Sequence, residues 1–255
     1  MHHVLDPRRE HSFASKLCAL AIMTKAPRAG TVKTRLQPPL TAEEAAELNV
    51  CFLRDIAAAI VCSGGESKGV GVFTPLGSED EYASVLPSDF ILIPQRGDSF
   101  GERLTNAATD LLHVGFESCC LINSDSPTLT ADVLRQAVAK LQHADSRIVL
   151  GPSDDGGYYL IGMRKLYRRL FEGIDWSTEQ VFAQTLERAR ELKLSVYVLP
   201  KCYDIDDATA LQRLCNELLN ERAADDVAPV TREFLARLVA RDGPERFGQG
   251  NIGRS

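Results

Sequence analysis

The chain has 255 residues, of which 44% are hydrophobic and 25% charged, and its formal net charge is −6. That length accommodates one substantial core but not several large domains. The mixed charge excludes a disordered chain, and the acidic balance argues against nucleic acid or an anionic membrane as partner. Apolar runs such as residues 56–62 fall far short of a membrane span. Residues 1–16 are polar and lack an apolar stretch with a small-residue cleavage site, so no secretion signal is expected there. Seven cysteines, with no C-x-x-C pair, read as reduced, buried thiols in a cytoplasmic protein rather than as a zinc site or disulfide framework.

Residues 1–15 read as a flexible tail. Residues 17–23 form a continuous apolar run, as a buried parallel strand should. Thr41-Ala-Glu-Glu44 is a capping-box pattern opening a helix to about residue 62. A short strand over 70–73, a short helix over 79–85 and a strand over 90–93 follow. Residues 102–113 read as a helix ended by Gly115. The segment 119–122 is a strand, Thr130 caps a helix to about residue 143, and 147–150 is again a strand. Gly156 and Gly157 precede a strand-prone stretch, 158–163. Ser177-Thr-Glu-Gln180 is a second capping-box pattern, opening a helix to about 192. A strand over 195–199 and two helices, near 208–221 and 230–241, complete the pattern, and residues 243–255 read as a second flexible tail. Alternating strands and helices without a linker or internal repeat predict one domain over 16–242. Its fold class is α/β: a doubly wound, mostly parallel sheet with helices on both faces. Ligands of such sheets bind beyond the carboxyl ends of the strands.

Four loops at that edge carry the chemistry. The first, residues 24–36, holds Lys25, Arg28, Lys33 and Arg35. Gly30 permits a turn or close approach of a ligand, and Lys33 and Arg35 supply a point charge and a planar fork for phosphate oxygens. Neither a Walker A loop nor a G-x-G-x-x-G fingerprint is present. Asp125, after the 119–122 strand, is a carboxylate where an α/β enzyme holds a hard divalent cation; capping a turn is the plainer role. The loop holding Asp154, Asp155, Gly156 and Gly157 is either a ligand loop or an Asp-Gly hairpin turn. Asp204 and Asp206 share one side of an extended segment, while one of Asp204, Asp206 and Asp207 is expected to cap the next helix. Together, one cationic and three acidic loops suit a metal-bound nucleotide diphosphate. Trp176 reads as a packing residue beside a helix start, and Phe100 as either a border of the site or a loop anchor.

The segments KAPRAGTVKTRL (25–36), GERL (101–104), SDSP (124–127), GPSDDGGYYL (151–160), WST (176–178) and YDID (203–206) resemble, in order, the DUF2064 family. The resemblance implies a GT-A-like fold, that of nucleotide-diphospho-sugar transferases, and kinship with nucleotidyltransferases. By the same resemblance Gly30, Lys33 and Arg35 match the phosphate loop, and Asp125 the metal aspartate. Asp155, Gly156 and Gly157 match the signature facing the acceptor or sugar, and Asp204 and Asp206 the motif that completes the metal site. Asn123-Ser124-Asp125 offers one acid where a D-x-D motif offers two, and Asp207 stands where many relatives carry threonine. The expected function is glycosyl transfer from a nucleotide sugar to a small-molecule acceptor, with Mg²⁺ or Mn²⁺. In that scheme Asp125 and Asp155 are catalytic, Asp155 as the base. The alternatives are nucleotidyl transfer from an NTP to a phosphorylated small molecule, and a non-catalytic nucleotide-binding protein. Oligomeric state is left open.

Overall fold

A computed structural model of the chain describes residues 2–9, 11, 16–142, 146–220, 224 and 226–247. Its centre is β2 (Cys18–Lys25), whose alternate residues feed two different cores. Cys18, Leu20 and Ile22 face one cluster, and Ala19 and Ala21 face the other. This period of two explains the unbroken apolar run: both faces are covered over Cys18–Ile22, and only Lys25 at the strand's end is exposed.

The strands flanking β2 are β3 (Ser67–Thr74) and β5 (Ser118–Ile122); β4 (Ile91–Pro94), β6 (Arg147–Pro152), β7 (Tyr158–Met163) and β8 (Ser195–Val198) extend the sheet. With β1 (His3–Val4), the order is β1-β4-β3-β2-β5-β7-β6-β8. Every pairing is parallel except those of β7, which runs antiparallel to β5 and β6. The expected α/β, mostly parallel sheet is therefore present. Its antiparallel strand arises because β6 and β7 are joined by a tight turn, and a two-strand hairpin can only be antiparallel.

Helices α1 (Ala42–Cys62) and α3 (Ala131–Gln142) cover one face, while α2 (Phe100–His113) and α4 (Val181–Glu191) cover the other. α5 (Ala208–Leu218) and α6 (Pro229–Asp242) pack on the outer side of α1 in a third cluster containing Leu48, Phe52, Leu214 and Leu235. α6 is tied down by a buried carboxylate: Asp55 accepts from the backbone N–H groups of Val230 (3.0 Å) and Thr231 (2.8 Å), two donors that a helix N-terminus otherwise leaves unpaired.

The Thr41–Glu44 capping box forms in both directions, Thr41 N–H to Glu44 at 2.9 Å and Glu44 N–H to Thr41 at 3.2 Å. The Ser177–Gln180 box does not. Ser177 has φ 65, which no helical residue adopts, and α4 starts only at Val181. Thr178 instead donates to the carbonyl of Asp175 (2.7 Å) and accepts from Gln180 N–H (3.2 Å). The expected helix at 79–85 is a single 3-10 turn, Glu79–Tyr82. Within the stretch expected as an N-terminal tail, β1 pairs with β4 and Leu5 is buried. In the expected C-terminal tail, Pro244–Phe247 form a 3-10 turn with Phe247 buried, and residues 248–255 lie outside those described. Cys62, expected buried, is exposed at the end of α1. No described helix is long and apolar enough to cross a membrane.

Candidate active site

The carboxyl ends of β2, β5, β6 and β8 lie at one edge of the sheet, because these strands run the same way. The loops leaving them line a cleft with two lobes. One lobe, of about 330 Å³, is lined by Lys25, Lys33, Arg35 and Asn49 among others. The other, of about 480 Å³, is lined by Asp155, Gly157, Tyr158, Trp176 and Asp204 among others. Arg35, Ser124, Asp125 and Asp206 belong to both, so they stand at the junction.

The cationic loop is held by two apolar anchors, Val32 and Leu36, both buried. The residues between them are thereby held at the cleft. Lys33 takes a left-handed conformation (φ 50), which costs a residue with a Cβ about 1 kcal/mol or more. Its ammonium donates to Asp125 (2.5 Å), Asp206 (3.0 Å) and the carbonyl of Ile205 (2.7 Å). Burial of Lys33 by itself would lower its pKa; the charges of Asp125 and Asp206 outweigh that and hold it above the usual value. It is therefore a permanent positive charge.

The other cations of the loop differ. Arg28 is spent on a two-armed pair with Glu81 outside the cleft (2.5 Å), and Lys25 donates to the carbonyl of Thr31 (3.1 Å). Arg35 is exposed and makes no hydrogen bond or ion pair with any described residue, leaving its fork directed by nothing but solvent. Gly30 is a turn glycine (φ 73) with open space beyond its missing Cβ.

Asp204 is a supporting group. Its Oδ1 accepts from Asn123 Nδ2 (2.7 Å) and Ser126 Oγ (2.5 Å), and Ser126 is fully buried. Burial raises its pKa, the hydrogen bonds from Ser126 and Asn123 pull it back, and the charge of Asp125 raises it further. The two acidic loops are also stitched by Ile205 N–H to the carbonyl of Asp125 (2.9 Å). Of the three late aspartates, Asp207 is the helix cap, accepting from Ala210 N–H at 2.8 Å.

Asp154 and Asp155 divide the two roles open to their loop. Asp154 pairs with Lys201 (2.9 Å) and Arg213 (2.7 Å), fixing the turn from outside. Asp155 lines the cleft, with Oδ1 accepting from Gly157 N–H at 2.9 Å. Gly156 (φ 86) cannot carry a Cβ: that atom would stand 2.2 Å from the carbonyl oxygen of Glu179. Gly156 also accepts from Phe182 N–H (2.8 Å), so this turn braces the 174–180 loop.

The three aspartates expected to hold a metal are not arranged as three ligands, and no group of three His, Cys, Asp or Glu side chains among the described residues is. Asp125 and Asp206 do converge on one cation position, which the Lys33 ammonium fills. Asp204 turns its Oδ1 away to Asn123 and Ser126. Asp125 and Asp206 thus offer the pair of carboxylates with which Mg²⁺ is commonly held, at a position that the Lys33 ammonium occupies.

Two features of the site had little or no signal in the residue pattern. Asn123 and Ser126 hold Asp204, a contact across 78 or more residues of chain. Asn49, buried in α1, lines the cationic lobe with its Oδ1 unpartnered among the described residues; it sits in an Ala-rich helix with nothing to mark it.

The fold is α/β and like that of nucleotide-diphospho-sugar transferases. Residues 66–178 match the family model described as "Uncharacterized protein conserved in bacteria (DUF2064)". Among solved structures, one from Desulfovibrio desulfuricans G20, provisionally described as a nucleotide-diphospho-sugar transferase, is 28% identical with a TM-score of 0.77, over 89% of this chain and 97% of its own. A cytidylyltransferase from Leptospira borgpetersenii serovar Hardjo-bovis (strain JB197) shares the fold, with 10% identity and a TM-score of 0.51 over 92% of this chain and 98% of its own. No curated protein sequence matches the chain.

Proposed function

We propose that the chain transfers a sugar from a nucleotide diphosphate sugar to a small-molecule acceptor. The observation that carries this reading is the junction of the two lobes. There Lys33 and Arg35, the cations suited to a diphosphate, meet Asp125 and Asp206 at the border of a second, larger lobe that holds Asp155. The likeness to the Desulfovibrio structure supports it.

In this scheme Arg35 grips the terminal phosphate with its fork, and Lys33 turns from the carboxylates to the phosphates as its counter-charge changes. Asp125 and Asp206 would hold a divalent metal, which would add to the neutralisation of the leaving diphosphate. Asp204, with Asn123 and Ser126, keeps the two acidic loops in register. Asp155, oriented by Gly157 N–H, takes the proton of the acceptor hydroxyl through Oδ2.

Nucleotidyl transfer is the second reading, favoured by the fold shared with a cytidylyltransferase. The products separate the two. Incubation with Mg²⁺ or Mn²⁺, a panel of donors and pooled small-molecule acceptors releases a nucleoside diphosphate if a sugar moves. It releases pyrophosphate from an NTP if a nucleotide moves. Pyrophosphate formation without nucleoside diphosphate from any sugar donor overturns the first reading.

A further inference from the structure

The larger lobe is not uniformly polar. Beyond the junction its floor is apolar, made by Met23, Leu104, Ile161 and Val181. Its wall is aromatic: Phe100 meets Trp176 edge-on with centroids 5.0 Å apart, and Tyr158 meets the same indole at 6.4 Å.

Three observations mark this wall as built for a ligand. First, Phe100 is 52% exposed at the opening turn of α2. Capping there is done by Ser99 and Glu102 (3.2 Å from Glu102 N–H to Ser99 Oγ, 3.1 Å from Ser99 N–H to Glu102), so the helix start does not require an aromatic residue. Second, the indole is clamped. A Cβ on Gly101 would stand 2.8 Å from Trp176 Nε1 and 2.8 Å from the carbonyl of Phe171, so only glycine allows α2 this close. On the other side, Ser177 follows the indole in a left-handed conformation, and Gly156 braces Glu179. Left-handed residues with a Cβ are enriched at functional sites, and of Lys33, Ser177, Lys193 and Ala228 the first two line this cleft. Third, the hydroxyl of Tyr158 is shut off from solvent with no hydrogen-bond partner among the described residues, an arrangement that costs about 1–3 kcal/mol.

We propose that this half of the cleft binds the acceptor, and that the acceptor's body is an uncharged, flat aromatic ring carrying the reacting hydroxyl. A ring of that kind meets the exposed face of Phe100 and the indole in the offset and edge-on geometries aromatic groups prefer. A polyhydroxylated acceptor would find partners in Ser177, Thr178 and Glu179 but would leave the hydroxyls that face Met23, Leu104, Ile161 and Val181 unpaired. An anionic acceptor would approach Asp155 and Glu179, both on the lining, at an electrostatic cost. The proposal depends on the transferase reading only in calling the occupant an acceptor; the ring-binding site itself does not.

Trp176 is the only tryptophan of the chain, so its fluorescence reports on this wall alone. The test titrates the full-length protein with 4-nitrobenzyl alcohol, glucose or uridine diphosphate, in wild type, Phe100→Ser and Arg28→Ala. The expected result is saturable quenching by the aromatic alcohol, weakened about tenfold in Phe100→Ser, the equivalent of losing roughly one aromatic contact. Arg28→Ala, at a cation paired with Glu81 outside the cleft, leaves that binding unchanged. Linear, unsaturable quenching equal in all three proteins overturns the proposal. So does glucose binding as well as the alcohol with the same loss in Phe100→Ser, which would make the wall a sugar platform. Diphosphate binding is followed in parallel by dialysis. Its absence in wild type with aromatic binding intact counts against the transferase reading and leaves the aromatic site standing.

Discussion

Gly156→Ala and Gly30→Ala place the same methyl group on two glycines of similar conformation, φ 86 and φ 73, in opposite surroundings. At Gly30 nothing lies within 4 Å of the new Cβ, so the cost is the left-handed backbone alone, about 1 kcal/mol. At Gly156 the Cβ would stand 2.2 Å from the carbonyl oxygen of Glu179, 2.5 Å from its Cα and 2.7 Å from its carbonyl carbon. These are backbone atoms that no side-chain rotation can clear. The 177–180 turn must shift, which breaks the 2.8 Å bond from Phe182 N–H to Gly156, worth about 1 kcal/mol. Adding the left-handed backbone and the looser packing of the displaced turn, Gly156→Ala is expected to cost about 3–4 kcal/mol. For a chain of this size that corresponds to a melting temperature lower by about 6–16 °C, against about 2–4 °C for Gly30→Ala. Thermal and urea unfolding of the pair, followed by circular dichroism, measure the difference. Equal losses in the two variants would refute the claim that the turn is braced by close backbone contact.

Replacing Lys33 by Met leaves Asp125 and Asp206 facing each other without a counter-charge and the Ile205 carbonyl without its donor. Because both carboxylates are partly exposed, the expected loss is about 1–3 kcal/mol rather than the larger figure for a fully buried pair; urea unfolding checks it, and unchanged stability contradicts the placement of Lys33. Glu44 gives a pH dependence. Arg246 pairing, against an opposing effect of burial and with help from Thr41 N–H and Arg241, holds its pKa at about 2 rather than 4.5. A carboxylate with a lowered folded pKa contributes stability that is complete above the unfolded value and lost as pH falls through the folded one. Wild type should therefore lose about 1–2 kcal/mol, after allowance for solvent screening, between about pH 5 and pH 2 relative to Glu44→Gln. Parallel pH–stability curves for the two proteins would contradict the pairing.

Much of the fold was legible because it rests on local signals. The Thr41–Glu44 box opens α1, and the apolar run of β2 is buried on both faces. The same box pattern at Ser177–Gln180 misled because position outweighed propensity: Gly156 holds Glu179 and Phe182, so the segment serves the cleft wall instead of starting the helix. At the site, the clustering of cations and aspartates at one sheet edge was legible from strand direction. What each would touch was not. Asp204 and Asp206, equivalent on an extended segment, differ because Asn123 and Ser126 reach one and Lys33 the other. Asp207 became the cap because it alone directly precedes α5. Trp176, readable as packing, packs and also lines the cleft, since Gly101 admits it against α2.

The central claim is that the cleft binds a nucleotide-activated donor across Arg35, Lys33 and the carboxylates. Its most direct test is the melting temperature of wild type, Arg35→Ala and Asp125→Ala with NTPs, NDPs and nucleotide sugars, each with Mg²⁺, Mn²⁺ or neither. A ligand that binds only the folded state, present at about a hundredfold its Kd, adds about 2.7 kcal/mol, or roughly 5–10 °C here. The account predicts such a rise with a nucleotide sugar in wild type, larger with metal, reduced in Arg35→Ala and insensitive to metal in Asp125→Ala. A wild-type melting temperature unmoved by every nucleotide, with and without metal, would contradict it.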